Sequence, residues 1–135
     1  VNNATLGGHV HVGEWGIIGG LSAIHQFVRV GKHAMIGGMS GVEQDVIPYG
    51  SVTGNRARLQ GLNIVGLKRR SFSRDDIHEM RKAYRLIFAA EGTMAERLED
   101  VAEDFGNNEA VMDILQFIRA NTSRAICQPA MDDAA

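Results

Sequence analysis

An aliphatic residue recurs at every sixth position from Leu6 to Val42, in the series Leu6, Val12, Ile18, Ile24, Val30, Ile36 and Val42. No other feature constrains the fold as tightly. Glycine follows directly at 7, 13, 19, 31 and 37, and the fourth residue on is small or aliphatic through Val46. A period of six fits neither a helix at 3.6 nor a simple alternating strand, so it marks a repeat. It predicts a parallel β-helix in which three hexapeptide strands close each triangular coil. The first sixty-six residues hold most of the glycines, and tight corners with positive φ are expected there.

The phase breaks at Ile47-Pro48-Tyr49-Gly50, since proline cannot donate to a ladder in mid-strand. Residues 49–66 read as a connecting loop with one more strand. Helical periodicity follows. Ser73 is an N-cap with Asp75 and Asp76 in the first turn, and Ile77, Met80, Tyr84, Ile87 and Phe88 share one face. Gly92 is expected to close that helix. Thr93 and Glu96 form a capping box for a second helix, which ends at Gly106, and a third starts near Asn108. After Arg124 the tail lacks periodicity and is expected to be disordered at its end. The predicted class is β-solenoid plus α. It comprises coils and a connecting loop over residues 1–66 and a three-helix domain with tail over 67–135.

Composition narrows the function. The chain has 44% hydrophobic residues, a net charge of −2 and a single cysteine, Cys127. No stretch is long enough to cross a membrane, no charged leader precedes an apolar run, and one cysteine excludes an internal disulfide. These features suit a cytoplasmic protein. The chain begins inside the repeat without the polar cap that a solenoid end needs, so it reads as the C-terminal piece of a longer protein. The cluster Lys68-Arg69-Arg70 suits a phosphate-bearing ligand better than nucleic acid, which needs a broader positive surface. A solvated linker is the competing reading, and the two stand level.

Stacking positions eighteen apart sorts the repeat by face. His9 and His25-Gln26 fall on one face, within reach of one small polar ligand, or simply as solvated polar residues on an exposed strand. Gly20 and Gly38, walled by Leu21 and Met39, leave a trough for an extended apolar chain or for a subunit contact. His11, His33 and His78 carry no assigned role. No His or acid spacing predicts a metal site, and Thr5, Ser22 and Ser40 lack a paired base for nucleophilic catalysis.

Four segments carry a resemblance: Asn2-Asn3-Ala4-Thr5-Leu6-Gly7-Gly8-His9-Val10, Ala23-Ile24-His25-Gln26-Phe27, Gly37 to Val42, and Gly61-Leu62-Asn63-Ile64-Val65-Gly66-Leu67-Lys68-Arg69-Arg70. In order and composition they resemble the acyl-ACP–UDP-N-acetylglucosamine O-acyltransferases of lipid A biosynthesis, from Val1 to about Ser123. The resemblance implies a homotrimer of left-handed β-helices with active sites between subunits. It implies transfer of a 3-hydroxyacyl group from acyl carrier protein to the 3-hydroxyl of UDP-N-acetylglucosamine. That is the first step of lipid A biosynthesis, and its co-substrate is the acyl carrier protein thioester, with no cofactor. The family's general-base histidine falls ahead of Asn2, so no catalytic residue is expected in this segment, which is expected to be inactive alone. By resemblance His9, His25 and Gln26 lie near the sugar, and Asn63, Arg69 and Arg70 lie at the nucleotide end. Gly38 matches the position limiting acyl length. Val65 stands where some members have glutamate, so that hydrogen bond is absent or replaced. The alternatives are an N-acyltransferase on an acylated UDP-glucosamine and a non-catalytic trimeric binding module.

Overall fold

The computed structural model describes residues 1–120 and 124–130. Seven two-residue strands follow the repeat: β1 (Thr5–Leu6), β2 (His11–Val12), β3 (Ile17–Ile18), β4 (Ala23–Ile24), β5 (Arg29–Val30), β6 (Met35–Ile36) and β7 (Gly41–Val42). They pair in parallel as β1-β4-β7, β2-β5 and β3-β6, with Leu6 opposite Ile24, Ile24 opposite Val42, Val12 opposite Val30 and Ile18 opposite Ile36. The expected coil of eighteen residues is therefore present. The aliphatic series points inward: Ile24, Val30, Ile36 and Val42 are buried, whereas Leu6 and Val12 are 46% and 43% exposed because only the following coil covers them.

The corners differ from expectation. Positive φ belongs not to the repeat glycines but to Asn3, His9, Trp15, Leu21, Phe27, His33 and Met39, all between 57° and 64° and six residues apart. A left-handed backbone is unfavourable for non-glycine residues. Here each corner N–H from Leu21 onward donates to a carbonyl of the preceding coil, as in Leu21 to Asn2, Phe27 to Gly8 and His33 to Glu14. Those bonds offset the strain. The glycines serve close approach instead. A Cβ at Gly19 would lie 2.4 Å from the Gly38 nitrogen, and one at Gly31 would lie 2.4 Å from the Pro48 nitrogen.

After β7 the coil shortens. Strand β8 (Gly50–Thr53) pairs in parallel with β6, Ile36 opposite Val52, and Val30 bridges Val46, so two residues have dropped out of the period. That deletion is the break in phase at Pro48. Strand β9 (Arg58–Leu62) folds back antiparallel on β8, with a register shift at Ser51/Val52 and Gly61 at φ +115°. Residues 49–66, expected as a connecting loop with one more strand, thus supply two strands and complete a sheet of order β3-β6-β8-β9.

Four helices follow rather than three among the described residues: α1 (Ile64–Arg69), α2 (Arg74–Ile87), α3 (Met94–Phe105) and α4 (Glu109–Arg119). Helix α1 was not expected, and the division placed after Gly66 falls inside it. Ser73 caps α2, Thr93 and Glu96 form the capping box of α3, and Asn108 caps α4. Helix α2 ends at Ile87, five residues before Gly92, so that glycine lies in the connecting segment and does not close the helix. Ile77, Met80, Ala83, Ile87, Leu98, Val101, Val111, Ile114 and Leu115 form the buried helical core.

Two polar locks tie helices to coils. Asp45, fully buried, accepts from the Arg29 backbone N–H at 2.8 Å and from its Nε at 2.9 Å, while Arg29 Nη1 donates to the Phe117 carbonyl of α4. Asp113 of α4 accepts from the Tyr49 hydroxyl at 2.7 Å and pairs with Lys32 at 3.0 Å. The start of the tail is ordered although it lacks periodicity. Asp45 bridges Ile126 and Leu59 bridges Pro129, so residues 124–130 dock as a strap on the coils. The expected disorder at the chain end concerns residues 131–135, which lie outside those described.

Candidate functional site

The corner residues form outward ladders. On the corner after β1 and β4, the His9 ring stacks on Phe27 at 4.7 Å with planes 7° apart. His25 and Gln26 precede Phe27 and are exposed. His25 Nδ1 lies 2.9 Å from Arg124 Nη2 of the strap and 3.3 Å from the Gln26 carbonyl oxygen.

The corner after β2 and β5 carries Trp15, His33 and, past the shortened coil, Tyr49. His33 stacks on Tyr49 at 5.3 Å, and Phe72 meets both edge-on. Burial first, then the positive charges of Arg70 and Lys32, holds the His33 pKa below its ordinary 6.5. The Arg70 guanidinium lies over the Trp15 ring, 3.4 Å from its centroid, in a cation–π arrangement. Between this corner and α1 opens a cavity of about 510 Å³, lined among others by Trp15, Met35, Asn63, Val65, Arg69 and Arg70.

Asn63 builds this cavity as well as lining it. Its Oδ1 accepts from the Gly66 N–H at 3.1 Å, capping α1, and its Nδ2 donates to the His33 carbonyl at 3.0 Å. Both ends of its amide are thereby committed to joining helix and coil. Val65, 61% exposed at the cavity, offers an apolar surface where a glutamate would accept hydrogen bonds.

On the third corner, Leu21 and Met39 are 62% and 76% exposed. A Cβ at Gly38 would meet the Gly20 carbonyl oxygen at 3.3 Å, so the surface between the two corner residues has little room for a side chain. Within one chain, then, Asn63, Arg69 and Arg70 come together, while His9, His25 and Gln26 occupy a second corner and Gly38 a third. Ser22 and Ser40 are buried, and both hydroxyls donate to the Gly37 carbonyl. Among the described residues, no group of three His, Cys, Asp or Glu side chains is placed to hold a metal ion. No helix there is long and apolar enough to cross a membrane.

Trp15, Tyr49 and Phe72 were not singled out from sequence for this site. The eighteen-residue spacing of Trp15 and His33 was the available signal. A second concavity, about 540 Å³, lies beside α2 and carries Lys68, Arg74, His78 and Arg81 around Phe72 and Ile77.

Residues 45–127 match the family model described as UDP-N-acetylglucosamine O-acyltransferase, domain 2. The chain belongs to the UDP-N-acetylglucosamine O-acyltransferase family. Among relatives of this family, the acyl-[acyl-carrier-protein]–UDP-N-acetylglucosamine O-acyltransferase of Methylobacterium radiotolerans is 61% identical over 87 residues, which is 64% of this chain and 32% of that protein. The enzyme of the same name from Agrobacterium fabrum is 44% identical over 129 residues, 95% of this chain and 48% of its own length. The structure of UDP-N-acetylglucosamine acyltransferase from Campylobacter jejuni superposes with a TM-score of 0.87 at 39% identity, covering 96% of this chain and 50% of that one. The chain therefore spans about half, or less, of the length of these relatives.

Proposed function

We propose that the protein carrying this chain transfers a 3-hydroxyacyl group from acyl carrier protein to the 3-hydroxyl of UDP-N-acetylglucosamine, the first step of lipid A biosynthesis. The observation that carries this reading is the cavity between Trp15 and α1. Arginine guanidinium groups suit bidentate contacts to phosphate oxygens, and here two of them, Arg69 and Arg70, stand beside an aromatic wall. A nucleoside diphosphate supplies both complements: anionic oxygens for the arginines and a flat base for the aromatic surface. The sugar then extends toward His9, His25 and Gln26, and the acyl chain follows the Leu21–Met39 surface past Gly38.

In the reaction the sugar oxygen attacks the thioester carbonyl. A C–O bond forms, the C–S bond breaks, and the sugar proton leaves while the carrier thiol is released protonated. We assign the residues of this chain to holding the substrate, and none to proton transfer. The coils are left-handed in this reading, with a helical domain of three main helices beside them. Because the three clusters lie on separate corners of one chain, a homotrimer in which corners of neighbouring copies face one another completes the site. The cationic concavity beside α2 suits an acidic carrier protein, and the reaction is cytoplasmic, with no cofactor.

The test uses the longest natural chain that contains this sequence. Purified protein should acylate UDP-N-acetylglucosamine from 3-hydroxyacyl carrier protein, and sedimentation should give a trimer. Arg69→Ala with Arg70→Ala should raise KM for the nucleotide sugar by about 10- to 100-fold, the loss of one or two charge-assisted contacts. Activity with an amino-sugar acceptor alone would point instead to an N-acyltransferase, and unchanged nucleotide affinity in the double variant would sink the cavity assignment.

A further inference from the structure

Arg124 belongs to the strap, ninety-nine residues from His25 in sequence, yet its Nη2 lies 2.9 Å from His25 Nδ1. The contact is held from several sides. Arg124 Nη1 donates to the Glu43 carbonyl at 2.8 Å, and the Glu43 carboxylate pairs with Arg56 at 3.1 Å. Just downstream, the Asp45 N–H donates to the Ala125 carbonyl, the Cys127 N–H donates to the Asp45 carbonyl, and the Leu59 N–H donates to the Gln128 carbonyl. The strap thus delivers one guanidinium to one imidazole nitrogen.

A guanidinium has donors and no acceptor, so it bonds His25 only where the ring nitrogen is bare. The Gln26 carbonyl at 3.3 Å from the same Nδ1 favours the opposite tautomer, with the proton on Nδ1. Arg124 prevails on distance and charge, because a proton on Nδ1 would set two N–H donors against each other at 2.9 Å. We infer that Arg124 is a positioning residue that fixes neutral His25 as the Nε2–H tautomer and so aims a hydrogen-bond donor from this corner at the ligand. His25 is exposed, and its Nε2 has no hydrogen-bond partner among the described residues. A donor there is suited to a sugar hydroxyl or carbonyl oxygen. This ligand assignment rests on the function proposed above, whereas the tautomer does not.

Two measurements separate the parts. Nitrogen-15 NMR of the histidine rings, on this chain above neutral pH, should give His25 a bare-nitrogen signal at Nδ1 and an N–H signal at Nε2. Arg124→Met, which keeps the aliphatic stem, should shift the pattern toward mixed tautomers, and Arg124→Lys, which restores a donor, should bring it back. A protonated Nδ1 in the native chain, or an Arg124→Met spectrum identical to the native one, overturns the inference. Should Arg124→Met release the strap, the native spectrum still decides the tautomer by itself. In the longest natural chain, Arg124→Met should then lower kcat/KM for the nucleotide sugar by about tenfold, chiefly through KM, with Arg124→Lys recovering most of it. Altered tautomers with unchanged kinetics would overturn the placement of His25 at the sugar while leaving Arg124 as the residue that sets its tautomer.

Discussion

At the scale of single residues, glycines that look alike in the repeat have opposite duties. An alanine methyl at Gly19 would sit 2.4 Å from the backbone nitrogen of Gly38, in a corner held on both sides by the Gly37 N–H bonded to Val52 and the Met39 N–H bonded to Gly20, whereas nothing lies within 4 Å of the same point at Gly8. Gly19→Ala should therefore cost about 2–4 kcal/mol in urea unfolding, above most overpacking penalties because the obstacle is backbone. Gly8→Ala should be neutral or stabilising by about 0.5 kcal/mol. Equal effects would show that the coils breathe enough to erase the difference. His33 gives a second prediction. Burial, with Arg70 and Lys32 adding repulsion, lowers its folded pKa, so the unfolded chain takes up a proton at higher pH than the folded chain does. The stability it contributes is complete above about pH 6.5 and drains away as pH falls below it. His33→Gln should flatten that acid limb relative to the native chain, as read from unfolding midpoints on both sides of pH 6.5. An unaltered limb would place the titration elsewhere.

At the scale of elements, the coils were legible because seven registers repeat one local rule, and the three longer helices because caps and faces coincide at Ser73, Thr93 and Asn108. The elements that escaped share a cause. Strand β8 sits two residues out of period, α1 spans six residues and is started by Asn63 reaching to a coil carbonyl, and the strap is held by isolated bridges at Ile126 and Pro129. Each is specified by a tertiary partner rather than by its own pattern. The same holds for the candidate site: Arg69 and Arg70 stand out in sequence, but Trp15 beneath Arg70 and Arg124 beside His25 need the fold to bring them there. The strap supplies its own reporter. Burial, reinforced by the charge of Asp45, pushes the Cys127 thiol up to about 11. Asp45→Ala removes the carboxylate from Arg29, leaving its partly exposed guanidinium to the Phe117 carbonyl and ring, and should cost about 2 kcal/mol, as the loss of charge-assisted hydrogen bonds does. It should also make Cys127 markedly faster to label with a thiol reagent; labelling that stays as slow as in the native chain would mean the strap docks without Asp45.

At the scale of the whole molecule, helices and coils meet through charged locks on one side and the Trp15 cavity on another, so a ligand in that cavity touches both. Trp15 is the sole tryptophan of the chain and lies under the Arg70 guanidinium. Titration with UDP-N-acetylglucosamine should draw Arg70 toward the diphosphate and change the tryptophan emission saturably, and Arg70→Ala should abolish most of that response. A native chain whose emission is indifferent to saturating nucleotide sugar would put the nucleotide elsewhere. The corner ladders carry one more implication. In each hexapeptide the inward aliphatic and the left-handed corner residue stand three positions apart, as in Ile24 and Phe27 or Val30 and His33, and the two face different worlds. At the open corners, Leu21, Phe27 and Met39, stability answers chiefly to the first, whereas His33 and Tyr49, packed with Phe72, serve the fold as well. A lineage can thus exchange the side chains of the open corners at little cost to the scaffold beyond the backbone preference of the newcomer, and the corner that packs against Phe72 is where such an exchange would be felt.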